Sequence, residues 1–372
     1  MIMLIIHTDT DDTENPLRGG QPVRTYEINS RLSSRHQIKI LTATYPHCSR
    51  KVLRGKLEYQ RLGFGIPFFG LSYHLSFLAT LGFMVNRLPH DLVVEEFTPP
   101  FGFCMLPLWT KKPVVSIVQW FFFQDWERRY KLPFERMMRI IPSRVRYRDF
   151  IVQTDKMGDY FKDLVPAAHV WKVPCGIDDE AFSDTVCTGD YALFVGRLDV
   201  HHKGLDYLLD AWQYLANAQK IIPLRIAGAG PGDEYLRSQI IKRGLLNTVQ
   251  LMGRIEGPEK HQLLQHCRFL VMPSRQETFG ITALEAMAAA KPVLAFDIDH
   301  LNELLSPKWA VLATLGNVSE LAEGAGDLWG DPGRCRVLGD IGREEAKQYR
   351  WCEIAKMQEV IYQEVVGRTA LR

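Results

Sequence analysis

Short apolar runs alternate with amphipathic stretches along the whole chain. The first run is residues 1–7; a polar loop, an amphipathic stretch over about 23–35 and a second apolar run at Ile38–Thr42 follow it. Uninterrupted apolar runs of this length are typical of parallel strands that are buried on both faces. The order strand, loop, helix, strand predicts the opening of a doubly wound α/β domain.

The same alternation continues to the end of the chain. It predicts further strands at Leu92–Glu96, Val114–Gln119, Tyr191–Gly196, Arg225–Gly228, Val249–Gly253, Phe269–Met272 and Val293–Phe296. It predicts helices at Asp206–Leu215, Glu259–His266 and Ile281–Ala290, and one long helix at Arg343–Val365. A chain of 372 residues is too long for one ordinary hydrophobic core, so we expect two domains. Pro174, Gly176 and the polar segment Thr185–Asp190 mark the boundary between them.

Composition places the chain among soluble globular proteins. Apolar residues make up 46% and charged residues 24% of the sequence, and we find neither a signal peptide nor an apolar run long enough to span a membrane. The seven cysteines show no CxxC spacing, which argues against a zinc site and for a reducing compartment. We therefore expect a cytoplasmic protein.

Charge is distributed unevenly along the chain. Residues 1–174 hold 24 Lys and Arg against 16 Asp and Glu, whereas the remainder holds 21 against 27. Within the first half, residues 126–148 carry eight basic and two acidic residues between aromatic and Met side chains. This mixture indicates either a surface that lies on anionic lipid headgroups at the inner face of the membrane or a solvated helical face over a core. No nucleic-acid-binding signature is present, so no nucleic acid partner is expected.

The strongest chemical signal lies in the βαβ unit at residues 269–296. The loop after its first strand carries Glu277, and the following helix carries Glu285. The backbone N–H groups of Phe279, Gly280 and Ile281 would begin that helix, and a helix N-terminus binds phosphate well. The carboxyl ends of strands in open parallel sheets are also where ligands bind.

A second segment, Gly196–Gly204, also follows a strand and precedes a helix. Its Arg197 and Lys203 would place two cations where a diphosphate could lie, although the spacing is not that of a Walker loop. The adjacent His201 and His202 have no carboxylate partner in a metal-binding spacing, and no metal or other cofactor is expected.

Glycine-rich turns and polar strand ends add weaker signals. The turn with Gly228 and Gly230 either contacts a nucleotide or closes a strand-to-helix corner, and Gly19 and Gly20 either form a turn or bring amides to a phosphate. In the first half, polar side chains at strand ends are expected to face the ligand crevice; these are Glu95, Glu96 and Gln119. The alternative for Glu95 and Glu96 is that they are solvated loop residues.

Taken in order, these segments resemble the retaining GT-B glycosyltransferases of family 4. The Gly19-Gly20 loop, the Gly196-Arg197…Lys203-Gly204 segment, the turn at residues 227–231 and the Glu277-x7-Glu285 pair carry the resemblance. It implies an α/β fold of two Rossmann-like, doubly wound domains that face each other across a cleft. By this resemblance the first domain is 1–175, the second is 185–344, and a C-terminal helix at 345–372 packs back on the first.

The resemblance also implies roles for individual residues. Arg197 and Lys203 match the cations that hold the diphosphate, and Glu277 matches the glutamate beside the donor sugar. Gln119 stands near the donor sugar, at a position where the family often has His, and completes the implied catalytic set. Glu285 matches the residue that binds the ribose hydroxyls. Arg254 lies at the position where members of the family contact the base of the nucleotide. The full set implied to contact the nucleotide sugar is Gly19, Gly20, Gly196, Gly228, Gly230, Arg254, Thr278, Phe279, Gly280, Ile281 and Glu285.

The resulting prediction is a metal-independent glycosyltransferase that acts with retention of configuration. Its donor would be a nucleoside diphosphate sugar, and its acceptor a glycan or lipid-linked sugar in the synthesis of a cell-surface polysaccharide or glycolipid. Two alternatives remain open: a GT-B sugar-nucleotide enzyme of the epimerase type, and a non-catalytic sugar-nucleotide-binding protein.

Overall fold

The chain forms two compact units, each built around its own parallel β-sheet. The computed structural model describes residues 2–14, 21–64, 71–97, 105–119, 127, 131, 133–182, 189–255 and 257–370. The first unit is Met1–Cys175 together with Trp351–Arg372, and the second is Gly176–Arg350. The second unit is therefore continuous in sequence, whereas the first is formed by two segments, one on each side of it.

In the first unit, eight strands form one sheet among the described residues, in the order β3-β4-β2-β1-β5-β6-β7-β8. All neighbours pair in parallel except β3, which is antiparallel to β4. The strands are β1 (Leu4–Asp9), β2 (Gln37–Ala43), β3 (Lys51–Arg54), β4 (Leu57–Leu62), β5 (Leu92–Phe97), β6 (Val114–Val118), β7 (Asp149–Val152) and β8 (His169–Lys172).

Helices cover both faces of this sheet. They are α1 (Gln21–Leu32), α2 (Leu71–Arg87), α3 (Phe134–Val145), α4 (Asp155–Leu164) and, from the end of the chain, α11 (Trp351–Ala370). One core joins the sheet to α2, α3 and α4, and the core on the opposite face joins it to α1 and α11. Apolar strands buried on both faces explain why the sequence shows continuous runs rather than alternation.

The second unit repeats this architecture on a smaller scale. Its described strands form a six-stranded sheet in the order β11-β10-β9-β12-β13-β14, with every pair parallel. They are β9 (Ala192–Val195), β10 (Leu224–Ala227), β11 (Val249–Gly253), β12 (Phe269–Met272), β13 (Val293–Asp297) and β14 (Ala310–Thr314). The helices are α5 (Leu205–Asn217), α6 (Asp233–Lys242), α7 (Pro258–His266), α8 (Ile281–Ala288), α9 (Val318–Gly330) and α10 (Pro332–Ala346).

Each sheet has a point at which the strand order reverses. In the first unit the chain moves outward from β1 through β2 and then restarts on its other side at β5. In the second it moves from β9 to β11 and restarts beside β9 at β12. Loops separate at such a point and leave a crevice at the carboxyl ends of the strands. The fold thus fixes where a ligand can bind in each unit.

The prediction of two doubly wound α/β domains is confirmed, but the prediction of one long helix at Arg343–Val365 is wrong. Helix α10 ends at Ala346, a single 3₁₀ turn covers Lys347–Tyr349, and α11 begins at Trp351. Arg350 adopts extended backbone (φ −58°, ψ 139°) and forms an isolated parallel bridge with Ile177. The apolar periodicity continues through the break, which hides it in the sequence.

Candidate active site

The crevice of the second unit lies between the loops that follow β9 and β12. The first loop carries Arg197 and Lys203, and the second carries Glu277, which Lys203 contacts directly. Its Nζ lies 2.6 Å from Glu277 Oε1, and the hydroxyl of Ser274 donates to the same oxygen at 2.8 Å. Both charged side chains are largely buried. The two signals found separately in the sequence therefore belong to one ion pair.

Arg197 stands apart from this pair. Its side chain is 63% exposed and lies 3.3 Å from Asp199 Oδ2, in the same loop. Burial alone would raise the pKa of Asp199, but the backbone N–H and the imidazole of His202, together with the charge of Arg197, lower it. The loop is thus held by a carboxylate while the guanidinium of Arg197 stays near solvent.

The two loops approach each other more closely than side chains would permit. Gly204 has a left-handed backbone (φ 60°), and a Cβ at this position would lie 1.8 Å from the carbonyl oxygen of Pro273. A Cβ at Gly228 would likewise lie 1.8 Å from the carbonyl oxygen of Gly196. The glycines at 228 and 230 therefore close a strand-to-helix corner against the β9 loop. A nucleotide contact by Gly228, Gly230 or Gly196 stays a prediction.

Helix α8 begins at the crevice immediately after Gly280. The amides of Phe279, Gly280 and Ile281 donate no hydrogen bond to any residue that the structure describes, as the first turn of a helix allows. Phe279 itself is buried, with its ring 5.9 Å from that of Tyr349, and Thr278 is half-buried beside it. The buried ring anchors the loop and leaves its backbone amides available to an anion.

Glu285 faces a partner that the sequence did not reveal. Lys260 of helix α7 places Nζ 2.6 Å from Oε1 and 2.5 Å from Oε2 of Glu285. Both side chains are mostly buried. Lys260 lies in a short polar helix between ordinary charged residues, and only the packing of α7 against α8 brings it to Glu285. Arg254, which follows β11, is exposed.

Polar side chains also meet at the carboxyl ends of β1, β5 and β6 in the first unit. Glu96 Oε1 lies 3.0 Å from His7 Nε2, and Glu96 Oε2 accepts from Gln119 Nε2 at 2.6 Å. The hydroxyl of Thr25 lies 2.6 Å from Asp9 Oδ2 and 3.4 Å from Glu96 Oε1. Burial, followed by the charge of Glu96, raises the pKa of Asp9 well above its usual value.

Two expectations for this region need correction. Glu95 and Glu96 are neither solvated loop residues nor both directed to the crevice, because both are buried inside β5. Glu95 points to the opposite face of the sheet and accepts a hydrogen bond from the hydroxyl of Tyr147 at 2.8 Å. Gln119, unlike Glu95 and Glu96, is half-exposed. Gly19 and Gly20 lie outside the described residues.

The basic stretch at 126–148 is described in part. Within it, α3 turns a face outward that mixes apolar and basic residues. Met137 is 39% and Ile140 47% exposed, and Val145 and Tyr147 are buried. The exposed basic residues around them are Arg136, Arg139, Arg144, Arg146 and Arg148. Among described residues, no helix is both long and apolar enough to cross a membrane, and no group of three or more His, Cys, Asp or Glu could hold a metal ion.

Family models match both parts of the chain. A model described as "Glycosyltransferase Family 4" matches residues 18–181, and one described as "Glycosyl transferases group 1" matches residues 189–331. The chain belongs to the family 4 glycosyltransferases. Both site loops of this glycosyltransferase's second unit fall within the second match.

Individual relatives and a solved structure agree with this family. The glycosyltransferase is 32% identical to an uncharacterised glycosyltransferase of Methanocaldococcus jannaschii, over 48% of this chain and 49% of that one. It is 29% identical to the phosphatidyl-myo-inositol mannosyltransferase of Mycobacterium leprae, over 52% of this chain and 53% of the relative. These matches span about half the length of each relative.

The solved structure extends the likeness to the whole fold. The crystal structure of HepE from Anabaena, in complex with UDP and glucose, matches with a TM-score of 0.74 and 17% identity, over 97% of this chain and 100% of that chain. At this identity the likeness concerns the fold. The glycosyltransferase therefore has the GT-B architecture of two parallel-sheet α/β domains.

Proposed function

We propose that the protein transfers a sugar from a nucleoside diphosphate sugar to a glycan or lipid-linked acceptor, with retention of configuration. The observation that carries this proposal is the Lys203–Glu277 pair beside the open N-terminus of α8, at the crevice of the second sheet. The ammonium and the helix N-terminus suit a diphosphate, and a carboxylate next to them suits sugar hydroxyls.

The proposed chemistry is a displacement on one face of the sugar. The bond from the anomeric carbon to the diphosphate breaks while a bond to the acceptor oxygen forms, and the acceptor proton passes to the departing diphosphate. Lys203, Arg197 and the amides of residues 279–281 stabilise the negative charge that develops on the leaving group. Glu277 is engaged by Lys203, which makes it a poor covalent nucleophile and favours direct front-face transfer.

The remaining donor contacts are proposed by position. Glu285 binds the ribose hydroxyls, with Lys260 fixing the orientation of its carboxylate, and Arg254 meets the base. Electrostatic stabilisation by these protein groups takes the place of a metal ion, so we propose that transfer is independent of divalent cations. The relative that mannosylates a phosphatidyl-inositol lipid and the structure that holds UDP and glucose support a nucleotide-sugar donor and allow a lipid acceptor.

The outward face of α3 supports attachment to an anionic membrane surface. Exposed Met137 and Ile140 would insert at the headgroup level while the surrounding arginines contact anionic lipid. Such a location, at the inner face of the membrane, would bring the enzyme to a lipid-linked acceptor.

The test begins with ligand binding. UDP, GDP, ADP and their glucose and mannose conjugates are screened by thermal shift, since a ligand bound only by the folded state raises the melting temperature. The stabilising donor is then incubated with and without candidate acceptors in EDTA, and the anomeric configuration of the product is read by NMR. Transfer with retention is expected. An altered nucleotide sugar without acceptor would instead indicate an epimerase, and binding without turnover would indicate a non-catalytic protein.

A further inference from the structure

An exposed tryptophan is seated on the backbone of helix α2. Trp109 follows the 3₁₀ turn Leu106–Leu108, and its indole lies directly over Gly82. A Cβ at position 82 would come within 2.3 Å of the ring, so a larger residue there would displace it. Glycine destabilises the interior of a helix, and α2 therefore sacrifices some helical stability to hold this ring. The tryptophan nevertheless remains 48% exposed.

Two further large apolar side chains are exposed beside Trp109. Leu108 lies in the same turn and is 63% exposed, and Phe83, next to Gly82 on α2, is 50% exposed. Leu106 of this turn is instead fully buried, in the core that joins the sheet to α2, α3 and α4. The turn is therefore anchored by one leucine while its neighbours face solvent. Neighbouring apolar side chains that are exposed in this way mark an interaction surface.

The charged side chains of this surface are basic. Arg87 places Cζ 3.8 Å from the centre of the Phe83 ring, and the exposed Lys111 and Lys112 follow Trp109 closely in the chain. The set is called the Trp109 surface below and consists of Phe83, Arg87, Leu108, Trp109, Lys111 and Lys112. It combines three exposed apolar side chains with three positive charges.

No carboxylate from the same segments balances these charges. Residues 71–90 and 105–119, which form the surface, contain no Asp or Glu. Asp91, the next residue after α2 and its turn, accepts a hydrogen bond from the backbone N–H of Leu4 at 2.9 Å. A dimer in which the Trp109 surface met itself would oppose the three basic residues to each other. The surface that it fits is therefore anionic and partly apolar.

We propose that the Trp109 surface binds the headgroup region of an anionic membrane. Aromatic rings are favoured at the boundary between headgroups and acyl chains, and Lys and Arg are attracted to anionic lipid. The proposal rests on the membrane attachment proposed above and extends it. Helix α3 and the turn that carries Trp109 pack into the same core, on the same side of the first sheet, so one bilayer can contact both.

The first measurement asks whether Trp109 reaches the bilayer. Vesicles of phosphatidylcholine and phosphatidylglycerol are prepared with lipids brominated near the headgroup end of the acyl chains, because bromine quenches the fluorescence of nearby tryptophan. The chain has eight tryptophans, so the signal of Trp109 is taken as the difference between the wild-type protein and Trp109→Phe. That difference should be quenched on brominated vesicles and not on unbrominated ones.

The second measurement compares binding to these vesicles by sedimentation. Leu108→Ser should weaken binding about tenfold, as expected when one aliphatic side chain no longer inserts. Lys111→Gln with Lys112→Gln should weaken it about fivefold for each lysine, and only on vesicles that contain phosphatidylglycerol.

The hairpin of β3 and β4 supplies matched controls in the same unit. Leu53 is 72% exposed, and Lys51 and Lys56 are also exposed. Leu53→Ser, and Lys51→Gln with Lys56→Gln, make the same chemical changes and the same change in net charge outside the Trp109 surface. Each control should bind more tightly than its counterpart, and equal losses in variant and control would overturn the proposal.

Each remaining failure points to a different error. If the protein binds vesicles but Trp109 is not quenched, α3 holds the protein without the Trp109 surface, and the proposal is overturned. If the protein does not bind, both attachments are overturned. A dimer that Leu108→Ser dissociates in sedimentation velocity, with vesicle binding unchanged, would assign the surface to a protein contact instead. Absence of sugar transfer would overturn the proposed reaction and leave a quenched Trp109 in support of this surface.

Discussion

Each of the two glutamates at the second crevice is held by a lysine from another segment of the chain. Lys203 reaches Glu277 from the β9 loop, and Lys260 reaches Glu285 from α7. These are mostly buried pairs, and removal of one partner from such a pair leaves an uncompensated charge that costs several kcal/mol. The pairs therefore fix the loop geometry before any ligand binds, and they limit how each glutamate can react.

The first prediction concerns Lys203 and Glu277. Lys203→Ala and Glu277→Ala should each lower kcat for sugar transfer by about 10²- to 10³-fold, the usual effect of removing one group that stabilises the transition state. The control is Lys39→Ala, which breaks an ion pair with Glu58 in the first unit. Circular dichroism checks that each variant is folded. Turnover at the wild-type rate in either site variant would contradict the assignment.

The second prediction concerns Asp9. Because its pKa is raised in the folded protein, the native state keeps a proton that the unfolded chain releases above about pH 4. The native state then binds more protons, so this group lowers the free energy of unfolding as pH rises toward the folded pKa. Asn mimics the protonated acid, so Asp9→Asn should stabilise the protein more at pH 7.5 than at pH 4.5.

Urea unfolding of the wild-type protein and Asp9→Asn at the two pH values checks this prediction. Asp163→Asn serves as a control, since that aspartate is exposed on α4 in the same unit. Equal stabilisation at both pH values would mean that Asp9 is ionised in the folded protein, and the prediction would be wrong.

At the scale of elements, the outward face of α3 exposes apolar side chains that take no part in the core. Double substitution of Met137 and Ile140 by Ser should weaken binding to phosphatidylglycerol-containing vesicles by at least about tenfold, because each buried aliphatic side chain contributes roughly 1.5–3 kcal/mol. Vesicle sedimentation measures the change. The control is Ile241→Ser with Leu246→Ser, two exposed apolar residues of the second unit. Identical binding by both double variants would exclude α3 as the contact.

Elements with long apolar runs were predictable from sequence, and elements with mixed composition were not. Strand β11 has the predicted bounds, and β12 and α8 begin where predicted. The hairpin of β3 and β4, at Lys51–Leu62, was not predicted because charged residues alternate through it and it forms at the sheet edge. Its formation depends on pairing of β4 with β2, which is a tertiary contact.

The candidate site shows the same limit at finer detail. The position of their loops was enough to predict that Glu277 and Lys203 lie at the same crevice, because the carboxyl ends of neighbouring parallel strands lie at the same edge of the sheet. The sequence did not predict the contact of Lys260 with Glu285, because that contact depends on how two helices pack. It also did not predict that Glu96 is the buried partner of Gln119. Spacing along the chain predicts which sheet edge a residue lies on, and only packing decides its neighbours.

At the scale of the whole molecule, α11 belongs to the first unit although it follows the second. Its Trp351, Ile354 and Tyr362 are buried in the core with α1, and Gln358 accepts a hydrogen bond from Arg24 at 2.8 Å. Ile354→Ala should lower the free energy of unfolding of the first unit by about 2–5 kcal/mol. Hydrogen exchange should accelerate in residues 2–175 and not in 176–350. Val360→Ala, exposed on the same helix, should change neither.

The return of α11 has a consequence for how the protein is made. A ribosome synthesises the first sheet before the second, and domains usually fold in the order in which they emerge. Here the first unit lacks a helix of its core until residues 351–370 have been translated, whereas residues 176–350 contain every element of the second unit. The unit synthesised later is therefore expected to fold first. Until then the nascent first unit exposes the apolar side chains that α11 will cover, and it is the part that most needs a chaperone.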